Sequence, residues 1–316
     1  MSQTNILLEA GTNELEIVEF YLDERGDEEP YKGYYGVNVA KVLEIIRMPA
    51  ITEMPEVSHH SVLGAFNQRS HIVPLVDLGV WLGKDRVERE PPKVVVTEFN
   101  QVTTAFLVSG VTRIHRISWE DVEPPNAYVS SLSNNSITGV VKLEGRIVFI
   151  LDLEKIVADL NPSLGMRLDE NVIWDDTDQY KALVADDSSL VREMLKDLLQ
   201  KAGFKVETVN NGREAWERLE SIKNKGEEDG QPMWDYVHVL VSDIEMPAMD
   251  GHNLTKRVKS DPYLRDLPVI LFSSLITDKL RHKGDAVGAD EQVSKPEVSK
   301  LALRAKELIA LRMNGS

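Results

Sequence analysis

The sequence has 316 residues, no cysteine and a formal net charge of −16. This length allows two domains with separate cores, while the absence of cysteine excludes disulfides, thiol catalysis and cysteine metal ligands and fits a reducing cytoplasm. Residues 1–179 alone carry 29 acidic and 15 basic side chains, which argues against nucleic acid as a partner.

No apolar run approaches the roughly 18 residues that a membrane helix needs, and no basic region precedes the short apolar patch near the amino terminus. We therefore expect a cytoplasmic protein without direct membrane insertion.

The first half of the chain predicts mostly antiparallel β structure. Residues 15–22 alternate apolar and polar side chains, which is typical of a strand with one buried face. Further along, Asn100-Gln101 and Glu144-Gly145 each separate two apolar runs, a pattern that predicts β-hairpins. Helical periodicity is sparse in this half.

This half also contains an internal repeat, because residues 62–82 align without gaps on residues 137–157 at a constant spacing of 75. The repeat predicts two similar small barrels, each ending in a strand and a short helix. Asp77 and Asp152 are expected to cap those helices. The matched pairs are Gly64/Gly139, Ile72/Ile147, Val73/Val148, Asp77/Asp152 and Leu78/Leu153.

No catalytic constellation is visible in the first half. The histidines, among them His59, His60 and His71, are scattered without metal-ligand spacing, so packing or surface roles are favoured. Without further information, Arg69 is interpreted as a surface charge.

Residues 161–179 are rich in Asn, Pro, Gly and acids, which indicates a linker. Beyond them, short apolar runs alternate with helical periods about five times, and this predicts a parallel sheet with helices on both faces. One predicted helix runs from Glu214 to Ile222. The polar stretch at residues 222–232 is expected to be an exposed loop.

Four of the predicted strands end in polar side chains. Because the carboxyl ends of parallel strands meet at one edge of a sheet, we expect these side chains to lie close together. A lone Asp after a strand usually forms a turn, but four polar strand ends are unlikely by chance. The ends are Asp186-Asp187, Asp243, Ser273-Ser274 and Lys295-Pro296.

Three clustered carboxylates and an ammonium group predict a divalent-metal and phosphoryl site. The carboxylates would repel one another without a cation, and hard oxygen ligands suit Mg²⁺. A phosphoryl group on Asp243 would then lie between the metal and Lys295, with the Ser273 hydroxyl able to donate to it. No residue resembles a dedicated general base, so the predicted chemistry is acyl-phosphate formation by positioning and electrostatics.

Other phosphoryl and nucleotide chemistries fit less well. A haloacid-dehalogenase-type phosphatase needs Asp-x-Asp at a strand end, whereas Asp176-Thr177-Asp178 precedes its strand. The glycine motifs of dinucleotide-binding and P-loop enzymes are absent from the sequence. A transcriptional regulator would carry a basic helix-turn-helix domain, which the acidic β half does not provide.

The motifs ADD, VSDIEMPAMDG, LFSS and SKP together resemble the receiver domain of response regulators, a flavodoxin-like (βα)5 fold with strand order 2-1-3-4-5. The resemblance implies that Asp243 is the phosphoacceptor, Ser273 the switch hydroxyl and Lys295 the phosphate-binding lysine. Gln292 occupies the position where the family usually has Tyr or Phe, so its aromatic switch is missing here. We expect the signal to pass through Ser273 and residues 274–276 instead.

The same resemblance implies a Mg²⁺ site. Asp187, Asp243 and the carbonyl group of Glu245 would be its ligands, and Asp186 would act through a metal-bound water.

Residues 12–160 resemble the CheW family of chemotaxis coupling proteins, an all-β fold of paired five-stranded SH3-like barrels. That family usually has Asn-Leu-Arg-Gly at the barrel turn, and this sequence has Asn67-Gln68-Arg69-Ser70. The resemblance makes Arg69 a candidate partner-binding residue.

A CheW-like domain at 12–160, a linker at 161–179 and a receiver at 180–311 form the arrangement of the CheV family. The resemblance implies an adaptor, not an enzyme, that couples methyl-accepting chemoreceptors to the histidine kinase CheA at chemoreceptor arrays. Phosphorylation of Asp243 by the kinase phosphohistidine would regulate the coupling and serve adaptation, with slow autodephosphorylation. The alternative is a phosphate sink that drains the kinase.

Overall fold

The computed structural model describes residues 13–26, 29–55, 57, 59–69, 71–85, 87, 89–99, 102–125, 136–161, 180–274 and 278–314. The chain forms two compact units: the β unit, Leu15–Gly165, and the α/β unit, Met166–Ser316 with Met1–Glu14. The predicted turn at Asn100-Gln101, most of the predicted linker and residues 275–276 lie outside the described residues. No helix within the described residues has the length and hydropathy to span a bilayer.

The β unit contains two five-stranded sheets. The strands of the first are β1 (Glu14–Glu24), β2 (Tyr31–Asn38), β8 (Gly110–Ser118), β9 (Ile137–Leu143) and β10 (Arg146–Leu151). Those of the second are β3 (Val42–Arg47), β4 (Val62–Gln68), β5 (His71–Asp77), β6 (Lys93–Phe99) and β7 (Val102–Val108).

The two sheets share one topology. Their strand orders are β8-β1-β2-β10-β9 and β3-β6-β7-β5-β4, so an antiparallel hairpin (β1-β2 or β6-β7) occupies the same place in each. The chain after each edge strand bridges to the opposite edge, at Thr52–Ala65 in one sheet and at Glu123–Val140 in the other. These bridges close each sheet toward a barrel, and the predicted pair of five-stranded barrels is confirmed.

The repeated segments form matching hairpins and helices. Each hairpin is followed by a helix, α1 (Leu78–Trp81) or α2 (Leu153–Leu160). The side chain of Asp77 accepts a hydrogen bond from the Val80 amide at 3.1 Å, and Asp152 caps the second helix in the same way. The predicted caps are therefore confirmed. Glu144 and Gly145 form the predicted turn, both with positive φ.

Both barrels contribute to one hydrophobic core. Phe20 from β1, Phe106 from β7 and Leu153 from α2 are almost completely buried in it. Burying a large apolar side chain contributes about 1.5–3 kcal/mol. This shared core makes the two barrels one compact unit.

The α/β unit has a fully parallel sheet of five strands in the order β12-β11-β13-β14-β15. Helices α3 and α7 pack on one face and α4 and α5 on the other. The predicted flavodoxin-like architecture is confirmed. The strands are β11 (Lys181–Ala185), β12 (Lys205–Val209), β13 (Val239–Asp243), β14 (Val269–Ser273) and β15 (Glu291–Ser294). The helices are α3 (Ser189–Lys201), α4 (Gly212–Asp229), α5 (Gly251–Ser260), α6 (Asp278–Ala286) and α7 (Val298–Asn314).

The prediction of an exposed loop at residues 222–232 is wrong, because α4 continues to Asp229. The helix ends at Gly230, which has the left-handed conformation. The buried side of this extension is formed by Ile222 and Gly226. Gly226 leaves room for the hydroxyl of Tyr263, which would lie only 1.8 Å from a Cβ at that position. The acidic and basic residues of the segment are the solvent face of a helix.

Candidate phosphoryl and metal site

The predicted site residues of the second half lie at one edge of the parallel sheet. Asp243 ends β13, and its neighbours across the sheet are β11 on one side and β14 on the other. Asp186 and Asp187 follow β11, and Ser273 ends β14. The parallel register therefore brings these side chains to one place, as the strand ends predicted.

The three aspartates form a tight carboxylate cluster. One oxygen from each of Asp186, Asp187 and Asp243 lies within 4.8 Å of the others. Asp186 is 0% exposed and Asp243 is 5% exposed, so water screens their charges little. Carboxylates this close repel one another unless a cation neutralises them.

Lys295 brings one positive charge to the cluster. It follows β15, and its Nζ atom lies 3.4 Å from Oδ2 of Asp243 and 3.6 Å from Oδ2 of Asp186. Its side chain is itself buried. Lys295 thus brings one positive charge to a cluster of three carboxylates.

Backbone amide groups fix the two buried carboxylates. Oδ1 of Asp186 accepts a hydrogen bond from the Ser188 amide at 2.8 Å, and Oδ1 of Asp243 accepts one from the Ile244 amide at 2.8 Å. Arg192 on α3 donates to the carbonyl oxygen of Asp186 at 2.6 Å. In both aspartates the second oxygen, Oδ2, thus faces Lys295.

The loop after Asp243 is shaped by a glycine. The Gly251 amide donates to the carbonyl oxygen of Ile244 at 2.9 Å, which closes the loop. A Cβ at Gly251 would lie 2.2 Å from the carbonyl oxygen of Asp243, so only glycine fits there. Glu245 lies in this loop, two residues after Asp243 and partly exposed.

The switch hydroxyl predicted at Ser273 is buried at the end of β14. Ser273 follows Phe272, the register partner of Asp243, and pairs on its other side with Ser294, the residue before Lys295. It therefore lies between the strands that carry the phosphoacceptor candidate and the lysine.

Comparison with known proteins identifies both units. Residues 23–161 match the CheW-like domain, and residues 182–306 match the response regulator receiver domain. Chemotaxis protein CheV3 of Helicobacter pylori is 34% identical over 301 residues, which cover 94% of this chain and 95% of that protein. The chain belongs to the CheV family.

Other relatives agree with this family. Chemotaxis protein CheV2 of Helicobacter pylori is 27% identical and matches 94% of this chain and 96% of its own length. Chemotaxis protein CheW of Thermotoga maritima is 29% identical, matching 48% of this chain and 94% of its own length. The CheV relatives thus match nearly the whole chain, and CheW about half of it.

At the position where receivers of other proteins usually have an aromatic residue, this CheV family member has a buried glutamine. Nε2 of Gln292 donates to the carbonyl oxygen of Arg281 at 2.8 Å and to Oδ1 of Asp285 at 2.9 Å. A Cβ at Gly284 would lie 2.4 Å from the Gln292 amide group. Gln292 therefore links β15 to α6 through a contact that needs a glycine opposite, and no sequence motif indicates this contact.

Arg69, the partner-binding candidate, lies at the β4-β5 turn of the β unit, with a φ of 46°. Its side chain is 82% exposed, and its Nη2 atom lies 3.2 Å from Oε1 of Glu44. Gln68 donates to the same oxygen at 2.6 Å. These contacts link the turn to β3.

The exposed apolar side chains of β3 and of the β4-β5 hairpin were missed from the sequence. Leu43 and Ile45, which flank Glu44 on β3, are exposed, and Ile72 on the β4-β5 hairpin is 83% exposed. Leu43, Ile45, Arg69 and Ile72 are exposed residues of β3 and of the β4-β5 hairpin, and we call them together the β3-hairpin surface. Alternation of apolar residues in β3 marks one face as apolar but does not tell whether that face meets a core or solvent.

Proposed function

We propose that this chain is a chemotaxis coupling adaptor whose coupling is regulated by phosphorylation of Asp243. The observation that carries the proposal is the cluster of three carboxylates, two of them buried, beside Lys295, in a receiver joined to a CheW-like unit. The partners proposed are chemoreceptors and the histidine kinase that they control.

The nucleophile is the Oδ2 oxygen of Asp243, because Oδ1 is held by the Ile244 amide. Its attack on the phosphorus of a phosphohistidine forms an acyl phosphate while the phosphorus–nitrogen bond breaks and the imidazole leaves. Lys295, 3.4 Å from Oδ2, is placed to neutralise charge on the transferred group. Ser273 is placed on the adjacent strand to donate its hydroxyl hydrogen to a phosphoryl oxygen.

The carboxylate cluster fits Mg²⁺, because three hard oxygen ligands lie close together and carry more negative charge than Lys295 balances. Asp187 and Asp243 would hold the ion, with the predicted contributions of the Glu245 carbonyl and of Asp186 through water. Bound there, Mg²⁺ supplies the positive charge that lets an anionic phosphoryl donor approach three carboxylates.

The β3-hairpin surface supports protein binding by the β unit. Leu43, Ile45 and Ile72 expose apolar area that a protein partner would bury, and Arg69 would add a charge that selects the partner. The regulatory domain of the kinase is the partner that we propose for this surface.

Co-sedimentation with receptor-containing membranes and the kinase tests the adaptor function. The full chain is expected to sediment with both, and Arg69→Glu is expected to reduce binding of at least one partner. The matched control is Arg116→Glu, because this exposed arginine is outside the β3-hairpin surface. Failure of the unmodified chain to sediment with either partner contradicts the proposal.

A further inference from the structure

A groove with a basic rim lies on the α/β unit between β11, β12 and α4. It has a volume of about 330 Å³, which is within the range of small-molecule sites. Its floor is apolar and includes the buried residues Leu183, Ile222 and Val237. The rim carries four basic side chains, Lys181, Lys205, Arg218 and Lys225.

The positive charges of this rim are poorly balanced. Lys181 and Lys205 are register partners on adjacent strands, where two like charges repel each other. Glu207 is the acidic residue of the groove lining, and Arg218 donates to it at 2.6 Å. Neither Lys205 nor Lys225 forms an ion pair with any residue that the structure describes.

The groove is separate from the phosphoryl site. Lys181 and Lys205 begin their strands, whereas the aspartate cluster lies where strands of the same sheet end. Strands of five residues place these edges about 16 Å apart, at roughly 3.3 Å per residue. A ligand of the groove would therefore not contact Asp243.

We propose that this groove binds a small organic phosphate of mononucleotide size. The phosphate oxygens would contact Lys181, Lys205 and Lys225, and a planar apolar part would cover Leu183 and Ile222. Lys181 also donates to the carbonyl oxygen of Asp235, and Lys225 lies over the Tyr236 ring. A phosphate brings several anionic oxygens to one point, which suits several ammonium groups around one groove better than a single carboxylate does. The unbalanced rim within a chain of net charge −16 is what points to an anion.

Isothermal titration calorimetry of the full chain in EDTA tests this proposal with three probes: AMP, adenosine and inorganic phosphate. EDTA keeps divalent cations from the aspartate cluster, so binding there does not contribute. AMP is expected to bind saturably, with an affinity at least tenfold higher than that of adenosine or of inorganic phosphate. Absence of saturable AMP binding at millimolar concentrations overturns the proposal.

The double substitution Lys205→Glu/Lys225→Glu is expected to weaken AMP binding at least tenfold. The matched control is Lys196→Glu, since Lys196 is an exposed lysine of α3, which packs on the opposite face of the sheet. Equal affinities in the rim variant and the control overturn the proposal.

Discussion

The two units differ in the partners of their buried carboxylates. In the α/β unit, three carboxylates lie close together, and Lys295 contacts two of them. In the β unit, the buried carboxylate of Glu19 is held at 2.9 Å on each oxygen by Arg146 and also contacts His115. A single buried carboxylate held by an arginine is structural, whereas three clustered carboxylates indicate a cationic ligand.

The pKa values in the β unit agree with this distinction. Burial alone would raise the pKa of Glu19, but hydrogen bonds from Thr112, His115 and Arg146 outweigh it and lower the pKa below its usual value. Glu19 therefore stays ionised near neutral pH. Its charge is neutralised within the fold and is not available for chemistry.

The largest expected effect comes from removing the proposed phosphoacceptor. Incubation with acetyl phosphate and Mg²⁺ is expected to add one phosphoryl group to the chain, and Asp243→Ala is expected to abolish the addition. EDTA should do the same, because the carboxylate cluster then repels the anionic donor. The intact mass is measured by mass spectrometry for the unmodified chain with Mg²⁺, for the variant and for the sample in EDTA. A phosphoryl adduct on Asp243→Ala, or equal yield in EDTA, contradicts the assignment.

Neutralising one carboxylate in each unit tests the comparison of charges directly. Glu19→Gln is expected to lower the free energy of unfolding of the β unit by about 1.5–3 kcal/mol, since Arg146 loses the buried carboxylate but keeps its contact with Glu144. Asp243→Asn in EDTA is expected to leave the α/β unit as stable or more stable, because it relieves repulsion. Urea unfolding measures both. A similar loss in the two variants would remove the distinction.

Asp250 provides a smaller effect with a defined pH dependence. Burial raises the pKa of Asp250 from 3.8 to about 6, despite backbone hydrogen bonds from Asn253 and His252 that lower it. The folded state therefore favours the protonated form of Asp250. The stability that Asp250 contributes is complete below about pH 4, where the side chain is also protonated in the unfolded chain, and it is lost as the pH rises through about 6.

Asp250→Asn retains an oxygen that can cap α5, as Oδ1 of Asp250 does toward the Asn253 amide. It is therefore expected to stabilise the α/β unit at pH 7 by up to about 3 kcal/mol, at 1.36 kcal/mol per pKa unit, and not below pH 4. Urea unfolding at the two pH values measures the difference. An equal effect at both would show that ionisation of Asp250 is not the cause.

The smallest expected effect concerns the β3-hairpin surface. Ile72→Glu places a charge where an apolar contact is proposed and should weaken binding of the kinase regulatory domain by about 1–2 kcal/mol. The control is Leu311→Glu, because Leu311 is similarly exposed on α7 of the other unit. Surface plasmon resonance gives both affinities. If the two variants bind equally, the surface is not the contact.

The proximity of the three aspartates could be predicted from the sequence, because parallel strands bring their carboxyl ends to one edge of the sheet. The supporting contacts were not, since Arg192 and Gly251 meet the cluster through backbone atoms that have no sequence signature. The sequence therefore places the two aspartate motifs on one edge of the sheet. The residues that orient the carboxylates depend on tertiary packing and could not be predicted.

The errors in the prediction also have physical reasons. The α4 extension reads as a loop because residues 222–232 are polar, whereas its small buried side includes Gly226, the contact point for Tyr263. Likewise, exposure of Leu43 and Ile45 depends on which face of β3 the barrel covers. In both cases a residue far along the chain decides the outcome.

The central proposal is that phosphorylation of the α/β unit changes coupling by the β unit. The most direct measurement is the affinity of the full chain for the kinase regulatory domain with and without Mg²⁺ and beryllofluoride, which imitates a phosphoryl group on Asp243. We expect a change of about 5- to 150-fold, the usual range of allosteric coupling, and none in Asp243→Ala. If beryllofluoride binds but the affinity stays the same, the units do not communicate, and a phosphate sink replaces the regulated adaptor.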